Sequence, residues 1–172
     1  DWTGRERCPG TRVPVAEIRY IAVEGPIGVG KSSLAELLAT EYGARRVNEP
    51  LDENPFLPKF YEDPERFAFT AQISFLVERY RQQQELVQMD LFAQSTVADY
   101  IFAKDRIFAE LTLTGEEMAL YERIYRLLDS RVRKPDLVVF LDASTEVLLR
   151  RLKRRDRPYE RQVGREYLEK VA

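Results

Sequence analysis

One octapeptide restricts the possible folds more than any other feature of the chain. Gly25-Pro26-Ile27-Gly28-Val29-Gly30-Lys31-Ser32 satisfies the pattern G-x-x-x-x-G-K-[ST]. It follows an apolar run, Tyr20-Ile21-Ala22-Val23-Glu24, and precedes residues 32–42, where Leu34, Leu37 and Leu38 recur at helical spacing. Strand, glycine loop and helix in that order turn consecutive backbone N–H groups inward around phosphate oxygens, and the helix start adds the positive end of its dipole. Lys31 then neutralises the β and γ oxygens of a nucleoside triphosphate, and Ser32 is placed to ligate Mg²⁺. Gly25, Pro26, Ile27, Gly28, Val29, Gly30, Lys31, Ser32 and Ser33 are therefore the expected ATP-binding residues. The rival reading is a chance glycine-rich turn, which the strand and helix on either side make the weaker one.

The rest of the chain alternates in the same way. Residues 44–47 suit a second strand, 54–61 a short helix, and Pro64 opens a long helix running to about residue 88. Residues 95–98 suit a third strand, and Thr114 with Glu117 forms a possible capping box for a helix ending near Arg131. Leu137-Val138-Val139-Phe140-Leu141 is a near-continuous apolar run, as expected of a parallel strand covered on both faces, and helix follows from about Thr145. The predicted fold is a three-layer α/β/α doubly wound parallel sheet with ligands at the carboxyl ends of its strands.

Composition narrows the chemistry. The 172 residues include no histidine and one cysteine, which removes Ser-His-Asp and Cys-His catalysis, an internal disulfide and a zinc cluster. Carboxylates, Lys, Arg and a hard cation remain. Twenty-seven basic against twenty-nine acidic residues leave a formal charge of −2, so neither nucleic acid nor an anionic membrane is an expected partner. No apolar run reaches the roughly 20 residues that span a bilayer, and a cytoplasmic setting is expected. Residues 1–17 read as a linker or remnant and residues 18–172 as one domain. The chain begins without Met and stops at Ala172 inside a helical pattern, so further natural sequence is expected at one or both ends.

Acceptor residues have to decide what the phosphate loop serves. Glu49-Pro50 follows the second strand; Phe60-Tyr61-Glu62-Asp63-Pro64-Glu65-Arg66-Phe67-Ala68-Phe69-Thr70-Ala71-Gln72 leads into the long helix; and residues 150–160 are rich in arginine. Gln72, Phe75 and Arg79 share one helix stripe, with an aromatic between two fork-like polar groups. Taken alone, Glu49 reads as a solvated loop carboxylate, Gln72 and Arg79 as the wet side of an amphipathic helix, and the arginines as a solvated face.

Together these segments resemble the deoxyribonucleoside kinase family, from about Arg19 to the end, with the look of its bacterial purine-type members. The resemblance implies transfer of the γ-phosphoryl group of ATP, with Mg²⁺, to the 5′-hydroxyl of a deoxyribonucleoside. It makes Glu49 the catalytic carboxylate, with Lys31 and Arg151 beside it in catalysis. Arg151, Arg155 and Arg157 become phosphate-facing lid arginines, the last two with ATP. Glu49, Tyr61, Gln72, Phe75, Arg79, Asp105 and Glu160 surround the nucleoside: Tyr61 and Glu160 meet the 3′-hydroxyl, and Asp105 pairs with Arg79 at the base.

Ser32 and Asp99 are the implied metal ligands, although Asp99 also suits a plain polar strand terminus. Asp99-Tyr100-Ile101 departs from the family's Glu-Arg-Ser, and the resemblance therefore expects some phosphate stabilisation to come from elsewhere. Asp156 stands where relatives often have glycine. A homodimer, a further strand beyond Ala172, and a fused domain upstream are also implied. The rival functions are a thymidylate or other nucleoside monophosphate kinase, and a nucleotide-dependent binding module.

Overall fold

A computed structural model of the chain describes residues 18–50, 54–89 and 95–155. The element order is β1 (Tyr20–Glu24), α1 (Lys31–Glu41), β2 (Arg45–Val47), α2 (Leu57–Glu62), α3 (Pro64–Met89), β3 (Thr96–Ala98), α4 (Lys104–Thr112), α5 (Gly115–Asp129), β4 (Leu137–Phe140) and α6 (Thr145–Arg155). All three strand pairings are parallel, in the order β2-β3-β1-β4. β1 therefore sits centrally, pairing Tyr20 with Thr96 on one side and Ile21 with Leu137 on the other.

Alternation along β1 explains the layers. Ile21 and Val23 pack with Ala35 and Ala39 of α1, while Tyr20 and Ala22 pack with Leu86 of α3 on the opposite face. A third apolar cluster joins α3, α4 and α5 through Leu76, Ala109, Tyr121 and Tyr125, with Phe102 stacked on Tyr125 at 5.4 Å. Full burial of Leu76 alone contributes about 1.5–3 kcal/mol. Helices thus cover both faces of a parallel sheet, and the doubly wound expectation holds. Because the strands are parallel, β1, β2 and β3 all deliver their carboxyl ends to one edge.

Two local expectations need correction, and one helix was unassigned from sequence. β4 is not covered on both faces: Leu137, Val138 and Phe140 are 41%, 46% and 62% exposed. It stands at an edge of the described sheet, paired with β1 alone; coverage depends on strand order, which a run of apolar residues does not encode. Thr114 does occupy the N-cap of α5 in extended geometry, but its side chain makes no capping hydrogen bond, so the Thr114 and Glu117 box does not form. Residues 104–112 fold as α4, which the sequence reading passed over.

Candidate active site

The glycine loop leaves β1 through a backbone conformation closed to most side chains. Gly25 has φ 144°, and a Cβ there would lie 2.2 Å from the carbonyl oxygen of Leu141. Gly30 closes the loop at φ 108° and caps α1. Lys31 folds back over the loop, donating to Gly25 O at 2.7 Å and Pro26 O at 3.1 Å. Burial, and then the nearby ammonium of Lys104, lower its pKa to about 8 against the pull of Glu24, Glu49 and Asp99. From the other side α6 packs Leu148 and Leu152 on Val29, and Arg151 Nη1 donates to Val29 O at 2.6 Å.

Two carboxylates at strand ends organise the floor. Asp99, just past β3, accepts from Ser32 Oγ at 2.5 Å through Oδ2 and from the Glu49 backbone N–H at 2.7 Å through Oδ1. Glu24, the last residue of β1, accepts from the N–H groups of Gly25 and Ile101 at 2.9 and 3.2 Å. Ser32 and Asp99 form an adjacent hydroxyl and carboxylate that fit Mg²⁺, which takes one or two protein carboxylates and completes its shell with water and phosphate oxygens. No group of three or more acidic or thiol side chains suited to a metal occurs among the described residues.

Glu49 lies between two cations. Arg79 Nη2 donates to its Oε1 at 2.5 Å, and Lys104 Nζ to its Oε2 at 3.0 Å. Burial pushes the carboxyl upward, but the charges and hydrogen bonds of Lys104 and Arg79 outweigh it and hold the pKa at about 2. Glu49 is thus an ionised acceptor at neutral pH. The other arm of Arg79, Nη1, pairs with Asp105, whose second oxygen accepts from Tyr121 OH at 2.8 Å. The guanidinium also lies over Phe75, 4.8 Å from the ring centroid.

The stripe formed by Gln72, Phe75 and Arg79 faces inward, all three residues being buried. Gln72 Nε2 donates to Thr112 Oγ1 at 3.1 Å. Gln72 Oε1 and Arg79 Nε are buried without a hydrogen-bond partner among the described residues. Such atoms are costly unless something supplies the partner. A single cavity of about 910 Å³ joins this pocket to the loop; it is lined by residues 24–33 and by Glu49, Tyr61, Gln72, Phe75, Arg79, Asp99, Lys104, Arg151 and Arg155.

Most of the site residues read from the sequence therefore meet around one cavity. Asp105 stands behind Arg79, fully buried and not in the cavity wall. Arg157 and Glu160, and with them Asp156, lie outside the described residues. Glu24 and Lys104 were missed. A carboxylate ending an apolar strand was a readable signal for Glu24, whereas nothing in local spacing marks Lys104.

Comparison with known proteins identifies the family and the fold. A family model described as deoxynucleoside kinase matches residues 21–172. A deoxyguanosine kinase of Bacillus subtilis is 38% identical over 153 residues, covering 88% of this chain and 74% of that protein. A deoxyadenosine kinase of Dictyostelium discoideum is 33% identical, and the chain spans 63% of its length, a little under two thirds. The structure of deoxyadenosine kinase from M. mycoides with bound dATP superposes with a TM-score of 0.77 at 26% identity, over 89% of this chain and 79% of that one. The chain belongs to the deoxynucleoside kinase family, with the fold of a P-loop kinase.

Proposed function

We propose that this protein transfers the γ-phosphoryl group of ATP to the 5′-hydroxyl of a purine deoxyribonucleoside. The observation that carries this reading is the ionised Glu49 carboxylate, standing where the phosphate loop meets a buried polar pocket. In that position it accepts the proton of the 5′-hydroxyl as the new O–P bond forms, while the bond from the γ phosphorus to its bridging oxygen breaks and ADP departs. The N–H groups of the loop and Lys31 hold the donor, and Arg151 and Arg155, on the helix packed against the loop, spread positive charge over the transferring group. Mg²⁺ held by Ser32 and Asp99 would supply charge neutralisation on the phosphate oxygens.

In the pocket, Tyr61 suits the sugar and Phe75 the face of the base. The open acceptor Gln72 Oε1 and the open donor Arg79 Nε match the adjacent donor and acceptor on a purine edge, as they would those of cytosine, so they suit the purine class without selecting it. The names of the relatives, deoxyguanosine and deoxyadenosine kinases, support the same class. A homodimer is part of this reading, and a solution mass twice that of the chain would support it.

The test is to incubate the protein with ATP and Mg²⁺ and each of the four deoxynucleosides or their monophosphates, following ADP. Deoxyguanosine or deoxyadenosine should give the highest kcat/KM. Turnover with monophosphates alone would identify a nucleoside monophosphate kinase instead, and ATP hydrolysis indifferent to every nucleoside would leave only a nucleotide-dependent binding module.

A further inference from the structure

Tyr100 follows Asp99 at the position where the resemblance leads to an arginine, yet its side chain is fully buried and donates its hydroxyl to Gln82 Oε1 at 2.7 Å. It is not part of the cavity wall. The cation comes from further along the chain. After β3 the backbone turns through residues 99–103, with the Lys104 N–H donating to Ile101 O at 3.2 Å, and this turn makes Lys104 the first residue of α4.

A lysine at that end of a helix opposes the dipole, by about 0.3–1 kcal/mol, so helix stability does not account for it. Its ammonium reaches back to the strand ends, 3.0 Å from Glu49 Oε2 and 3.9 Å from Glu24 Oε1, with the side chain only 13% exposed. An ammonium has three N–H donors, and among the described residues one is given to Glu49. Lys104 lines the same cavity as Lys31 and the loop. A local rule broken at the junction of donor and acceptor marks a position kept for chemistry.

We infer that Lys104 is a catalytic residue of this kinase, orienting Glu49 toward the acceptor hydroxyl and donating a second N–H to the oxygens of the phosphoryl group in transfer. This rests on the function proposed above. The bonds exchanged are unchanged: the hydroxyl proton passes to Glu49, and Lys104 keeps its own protons while lending charge to the transition state.

The experiment compares wild type with K104M, K104Q and K104R in kcat, in KM for ATP and deoxynucleoside, in ATP affinity and in Tm. K104M should lower kcat by about 10²–10³-fold with ATP affinity nearly unchanged, as expected for loss of one charge-stabilising donor. K104R should recover a large part of that loss, because a charged donor is restored. K104Q carries the same expectation as K104M should the methionine variant fold poorly. A kcat within about threefold of wild type in K104M or K104Q, or a loss confined to KM, would overturn the role of Lys104. Wild type inactive on every deoxynucleoside would overturn the kinase reading itself, and the inference with it.

Discussion

Replacing Glu49 by Gln tests the electrostatic design of the site twice, through turnover and through folding. The wild-type carboxyl titrates near 2 rather than at its ordinary 4.5 because Lys104 and Arg79 outweigh the effect of burial. A depressed folded-state pKa means that the unfolded chain binds the extra proton between about pH 4.5 and pH 2. Stability therefore rises with pH across that window, is fully present above it, and is lost as pH falls through the folded value. The shift corresponds to about 3 kcal/mol at neutral pH, or roughly 6–12 °C in Tm for a chain of this size.

The amide introduced by E49Q has no charge to offer the two cations and must turn its NH₂ toward one of them, so the variant should lack that stabilisation at pH 7. The gap to wild type should shrink to less than half by about pH 3. Urea unfolding of both proteins at several pH values measures this directly, and equal stability at pH 7, or a gap independent of pH, would refute the reasoning. In the same samples ATP binding should persist, while kcat falls by about 10²–10⁴-fold with loss of the base.

Two further pairs of substitutions probe other parts of the molecule. G25A places a Cβ against the Leu141 carbonyl at a strained φ, and should cost about 1–3 kcal/mol and weaken ATP binding; G43A, at φ 58° with nothing within 4 Å, should spare ATP binding, and equal ATP affinities in the two variants would count against a shape requirement in the loop. R79M leaves the buried Asp105 with Tyr121 as its one side-chain partner among the described residues and takes one cation from Glu49, a loss of about 3–5 kcal/mol in thermal or urea unfolding. Adding D105N should return part of it, and additive losses in the double variant would show that the pair is not coupled.

The donor half of the site was legible because its geometry is local: loop glycines, Lys31 and Ser32 lie within one turn of chain, where sequence spacing is spatial spacing. Helix periodicity showed that Gln72, Phe75 and Arg79 share one face, but taken alone that face read as solvated, and only the resemblance turned it toward a ligand. Lys104 was not legible, since its place beside Glu49 depends on β2 and β3 ending side by side and on a turn that spacing does not reveal. β4 failed differently. Its apolar run reads correctly as a strand, but exposure belongs to its place at the sheet edge, a long-range property.

Asp99 holds the glycine-loop hydroxyl of Ser32 with one oxygen and the backbone N–H of Glu49 with the other. Both oxygens ride on one side-chain torsion, so a ligand that draws Oδ2 away from Ser32 also tilts Oδ1 at Glu49. By thermodynamic linkage, any effect that a ligand at the Ser32 contact has on binding beside Glu49 must be returned in equal measure.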